Sequence, residues 1–99
     1  MRRRYETMFV VPPLTDDKIS ETIEEVKANL EKLDAEIENL SEWGKRRLAY
    51  EVEDYNYGYY VVIHFYMEGN NVAKLKHFYK QNENIIRNIV IKRKDEEER

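Results

Sequence analysis

Polar and apolar residues alternate from Tyr5 to Val11, with Tyr5, Thr7, Phe9 and Val11 on one side and Glu6, Met8 and Val10 on the other. That period of two predicts a strand. Pro12-Pro13 ends it, because proline cannot donate to a strand ladder. The period then lengthens. Ile19, Ile23, Val26, Leu30 and Leu33 recur at steps of four and three, which predicts an amphipathic helix capped by Thr15 or Asp16. Its polar side carries Glu21, Glu24, Glu25 and Lys27, and its stripe is too short for a coiled coil. The helix is therefore expected to lie on a sheet, and Asp34-Ala35 to turn the chain. Glu36 to Val52 reads as a long strand, bent or bulged near Gly44. The clearest strand follows Gly58: Val61, Ile63, Phe65 and Met67 face the helices, and Tyr60, Val62, His64 and Tyr66 face away. Between these two strands, Glu53 to Tyr57 is the expected linker of an antiparallel hairpin.

Glu68 to Asn71 breaks the strand and is expected to cap a short second helix with the stripe Val72, Leu75, Phe78 and Tyr79. Lys74, Lys76 and Lys80 look outward. Gln81 to Asn84 turns the chain into a last strand, Ile85 to Ile91, in which Arg87 sits among Ile85, Ile89 and Ile91. An arginine in such a run needs a partner, either a neighbouring carboxylate or a phosphate. The order strand, helix, strand, strand, helix, strand predicts an α+β chain of the ferredoxin-like βαββαβ type, a four-stranded antiparallel sheet with two helices on one face. Its crossovers should be right-handed. The other face would be free to bind. Tyr60, Val62 and Tyr66 make that face too apolar for bare solvent and are the expected protein-partner contacts. The fold alone does not decide function.

Composition narrows the field. Ninety-nine residues make one domain, with no cysteine for disulfides or thiolate metal sites. No apolar run approaches the ~20 residues of a membrane span, and the basic start lacks the cleavage site of a signal peptide. A cytoplasmic chain without cofactor or metal is expected. The net charge of −3 argues against nucleic acid, but its distribution does not. Of 17 basic residues, ten fall in Arg2 to Arg4, Lys45 to Arg47, Arg87 and Lys92 to Lys94. Such segregation creates a local positive field. Arg2 to Arg4 is either a frayed terminus or a phosphate contact. Trp43 is core, partner contact or a stacking platform. His64 reads as a sheet-surface residue, since no catalytic constellation lies near it in sequence. An acylphosphatase-type enzyme would need a glycine-bearing phosphate loop after the first strand, where this chain has Pro12-Pro13. A sensor or dimerisation module of the same fold is the plain alternative. An RNA-recognition motif would need a run of glycine and aromatics that is missing.

The residues go further than the fold. Arg3 to Glu6 (Arg-Arg-Tyr-Glu), Trp43-Gly44-Lys45-Arg46-Arg47-Leu48-Ala49-Tyr50, Gly58-Tyr59-Tyr60 and Ile86-Arg87 before the last strand resemble the bacterial small-subunit ribosomal protein six family over nearly the whole chain. The Gly-x-Arg-x-Leu-Ala-Tyr stretch is the specific part. The resemblance implies a structural component of the small ribosomal subunit. It would bind the central domain of the ribosomal RNA together with small-subunit ribosomal protein eighteen, with no membrane and no small-molecule substrate. It carries RNA contact onto Arg2, Arg3, Lys45, Arg46, Arg47, Tyr50, Arg87 and Lys92. Residues 1–92 would be the RNA-binding domain and 93–99 a charged, mobile tail. Strand alternation sets Arg46 and Arg47 on opposite faces unless the bend at Gly44 re-aims one, so at least one is expected in a structural salt bridge.

Overall fold

The structure is a computed structural model that describes residues 2–93. Strand β1 (Arg2–Val11) is followed by helix α1 (Asp16–Lys32), strands β2 (Glu36–Val52) and β3 (Tyr55–Glu68), helix α2 (Val72–Gln81) and strand β4 (Arg87–Arg93). The sheet is antiparallel with order β2-β3-β1-β4, and both helices cover one face. This is the ferredoxin-like α+β arrangement that the pattern predicts.

Local chemistry sets the boundaries. Thr15 caps α1 by accepting from the Lys18 amide at 3.3 Å, with Asp16 and Asp17 in the positive first turn. The helix ends at Leu33, and Asp34 reverses the chain at φ 60°. Ile19, Ile23, Val26 and Leu30 are buried and Leu33 packs beside them. They meet Tyr5, Phe9, Val11, Val61, Ile63, Phe65 and Met67 from the sheet, and Leu75 and Tyr79 from α2. Asn71 precedes α2 without capping it through its side chain. Its amide instead donates to the Leu33 carbonyl at 3.0 Å and ties the two helices together.

One polar chain runs through this core. Thr7 Oγ1 donates to the Ile89 carbonyl at 2.8 Å, so its single proton is used and the Tyr79 hydroxyl donates to it, also at 2.8 Å. Burial pushes the Tyr79 phenol far above its ordinary value of 10.0, and the Thr7 bond partly opposes that. Thr7→Val should therefore lower stability by about 1–3 kcal/mol, the cost of stranding a buried hydroxyl. Denaturant unfolding checks this, and a neutral result would show the Tyr79 hydroxyl finding water.

Several sequence expectations need correction. The hairpin reverses at Glu53 and Asp54 alone, with φ of 49° and 71°, and Tyr55 to Tyr57 already belong to β3. Positive φ at both central residues is what a type I′ turn requires, and it matches the strand twist. Arg2 to Arg4 are strand rather than frayed terminus, paired with Glu68, Met67 and Tyr66. The last strand begins at Arg87, and Ile85 instead joins the helix-side core. Arg93, the predicted head of the tail, is the last strand residue. The remainder of that tail lies outside the described residues.

The face away from the helices is not wholly free. Val10, Val62 and Leu48 are buried there, apart from the main core. Beyond Gly44 (φ 86°), the register between β2 and β3 slips, and Leu48 approaches Gly58 and Val10. Gly58 permits this approach because it has no side chain. Val62, a predicted partner contact, is only 3% exposed and so offers almost no area to another chain.

Candidate nucleic-acid interface

Strand register sorts the basic residues. Gly44, Tyr60, Val10 and Arg87 form one row across β2, β3, β1 and β4 on the face away from the helices. Arg46 pairs with Gly58 on the same face, whereas Lys45 and Arg47 pair with Tyr59 and Tyr57 on the helix side. All four cations nevertheless gather at the hairpin end of the sheet. Arg2, Arg3 and Lys92 lie at the other end, five to eight residues from the Arg87 row, or roughly 17–27 Å along the strands at about 3.4 Å per residue. The structure therefore unites Lys45, Arg46, Arg47, Tyr50 and Arg87, and it separates Arg2, Arg3 and Lys92 from them.

Each cation at the hairpin end lies over an aromatic ring. The Lys45 ammonium is 5.0 Å from the Tyr57 centroid and the Arg47 guanidinium carbon 5.9 Å from it. Arg46 lies 5.7 Å from Trp43, and Arg87 lies 5.4 Å from Tyr50. Among the described residues none of the four forms an ion pair. The salt bridge expected for Arg46 or Arg47, and the carboxylate considered for Arg87, are thus replaced by ring contacts. The difference matters chemically. A carboxylate would neutralise the guanidinium, whereas a ring restrains it and leaves its charge and its N–H fork available. The rings are themselves exposed: Trp43 49%, Tyr50 66% and Tyr57 40%. Trp43 is therefore not core. Beside it, Glu42 accepts the Tyr59 hydroxyl at 2.7 Å, and that carboxylate, chiefly through the bond, raises the Tyr59 pKa.

The opposite end is electrostatically different. Arg4 Nε meets Glu38 Oε1 at 3.2 Å, and Glu6 Oε1 accepts from Arg93 while lying 3.1 Å from His64 Nε2. Arg2 donates to the Tyr66 carbonyl at 3.3 Å. Much of the positive charge there is already paired. His64 is a half-buried residue of the sheet surface, as its sequence context suggests.

Sequence reasoning missed two features. Tyr57 holds two cations, but reading 53–57 as linker hid its pairing with Arg47. Ile89 and Ile91 are 43% and 45% exposed, because β4 is an edge strand and no helix covers that face. Their register partners Met8 and Glu6 mark the face in retrospect.

A ferredoxin-like domain with an unneutralised basic and aromatic sheet end is the class of protein that this fold and site define. The sequence profile described as Ribosomal protein S6 matches residues 4–92, and the chain belongs to that family. It is 36% identical over 91 residues to the small ribosomal subunit protein bS6 of Desulforamulus reducens, covering 91% of this chain and 96% of that one. It is 38% identical over 96 residues to the bS6 of Halalkalibacterium halodurans, covering 96% and 99%. The crystal structure of 30S ribosomal protein S6 from Thermotoga maritima superposes with a TM-score of 0.89 at 33% identity, covering 94% of this chain and 89% of that one. An uncharacterized Thermotoga maritima protein shares the fold alone, at a TM-score of 0.62 and 16% identity. The chain is thus a ribosomal protein of the small subunit, structural rather than enzymatic, and it works on the ribosome in the cytoplasm.

Proposed function

We propose that this chain binds the central domain of small-subunit ribosomal RNA jointly with small-subunit ribosomal protein eighteen. The observation that carries the RNA half is the set of four cations held over rings without anionic partners among the described residues. Folded RNA presents a dense phosphate surface, and restrained, uncancelled cations suit it. Lys45, Arg46, Arg47 and Arg87 are the phosphate-contacting set, with Tyr50 as the ring that aims Arg87. At the other end, Arg3 and Lys92 fall on the helix side and Arg2 on the opposite face, so these three suit separate contacts with a more distant stretch of backbone. For the protein partner, the face away from the helices offers the half-buried Tyr60 and Tyr66 and, at its β4 edge, the exposed Ile89 and Ile91. An apolar edge strand of this kind is a docking surface that a partner chain would cover.

The test is binding to a central-domain RNA fragment across a salt series, with and without ribosomal protein eighteen. Four phosphate contacts should give a log–log slope of roughly −3. Arg47→Ala or Arg87→Ala should each flatten that slope by about one contact and weaken binding, with the fold intact. A variant that loses stability but binds RNA unchanged would mark its arginine as structural. A folded chain that ignores the RNA in both conditions would instead support a dimerisation or sensor module.

A further inference from the structure

The geometry points to Trp43 as a stacking shelf for one unpaired RNA base, an inference that rests on the RNA-binding reading above. Trp43 is the only tryptophan of the chain and is 49% exposed. It sits in the register slip between the pairs Glu42↔Val61 and Gly44↔Tyr60, so the ladder passes it by. Its strand is an edge of the sheet. Arg46 lies 5.7 Å from the ring centroid and restrains one side of the indole. About half of the side chain remains open to solvent, which leaves ring surface for a ligand.

These features fit one ligand chemistry. A lone exposed aromatic is ordinary and needs no explanation. An exposed indole that sits in a register slip at a sheet edge, held by one cation, offers ring surface to a planar base. Arg46 is then positioned for a phosphate next to that base. Proteins read single-stranded or bulged RNA in this way, stacking bases on aromatic side chains while cations follow the backbone. Among the other exposed rings, Tyr57 carries cations from two residues and suits the role less well. Tyr50 carries one cation, as Trp43 does, but is a phenol with a smaller stacking surface than an indole. A purely duplex site would be recognised by shape and phosphates and would leave Trp43 unused.

The experiment titrates the full chain, with ribosomal protein eighteen present, against the central-domain RNA fragment. Tryptophan emission and the anisotropy of end-labelled RNA are followed together. Wild type should show quenching that tracks binding and is missing in Trp43→Leu. Trp43→Leu should bind about 5- to 150-fold more weakly, the equivalent of roughly 1–3 kcal/mol, with an unchanged salt slope. Trp43→Phe should recover most of the affinity. Binding without Trp43 quenching, or Trp43→Leu binding within twofold of wild type, overturns the shelf while leaving RNA binding in place. A slope that flattens in Trp43→Leu also overturns it, since the loss would then run through phosphate contact. If wild type itself does not bind, the RNA reading fails and the shelf fails with it.

Discussion

Leu75→Ala is expected to lower the unfolding free energy by about 2–5 kcal/mol. Leu75 has no exposed surface, and α2 buries only Leu75 and Tyr79. A helix of ten residues is too short to persist on propensity alone, so its position depends on those anchors. Truncation removes the transfer free energy of the isobutyl group and leaves a cavity between α2 and the sheet, which close-packed neighbours can fill only in part. Chemical denaturation would show a lower midpoint at similar slope. Thermal unfolding should shift by roughly 4–8 °C for each kcal/mol lost. A loss below about 0.5 kcal/mol, the range of surface substitutions, would mean that α2 is not held through Leu75.

Gly58→Ala is expected to cost about 1–3 kcal/mol through overpacking. The added methyl would lie 2.3 Å from Val10 Cγ1, far inside contact distance, and close to Leu48 and the Val11 carbonyl. Val10 is 1% exposed and β-branched, so it has neither space nor rotamer freedom to yield. The clash predicts a specific coupling. Val10→Ala combined with Gly58→Ala should be less damaging than the sum of the two single variants, because removing Cγ1 removes the obstacle. Strictly additive losses would show that Gly58 is required for some other reason. Gly58 pairs with Arg46, so the same variant should also disturb the basic end of the sheet and weaken RNA binding.

Leu75 and Gly58 serve opposite faces of one sheet. On the helix side, burial of a continuous apolar set holds the domain together. On the other side, Gly58, Val10 and Leu48 form a smaller seal that brings the hairpin across the strand ends. That seal lets Tyr50 reach Arg87, a residue from the far edge strand. The basic end is thus assembled by hairpin docking, and each aromatic contact, worth about 0.5–1 kcal/mol when exposed, restrains a side chain more than it stabilises the fold.

Much of this was legible in the chain because the relevant forces are periodic and local. Alternation in Tyr5 to Val11 and Val61 to Met67, and the three-four steps from Ile19 to Leu33, named the core residues of three elements. Thr15, Pro12-Pro13 and Gly44 marked ends and a bulge through their own backbone chemistry. The clusters at Lys45 to Arg47 and at Arg87 were visible as charge. What each cation touches was not, since ring contacts such as Arg87 with Tyr50 join residues distant in sequence and depend on strand order and register. The exposure of Ile89 and Ile91 had the same cause. An apolar run reads as core until the sheet order sets it at an edge, on a face that neither helix covers. Spacing along the chain sets the elements, the helix-facing core and the inventory of charge. Which cations share one end, which are already paired and which apolar side chains stay exposed follow from strand order and register, because those outcomes depend on distances between strands rather than on spacing along one.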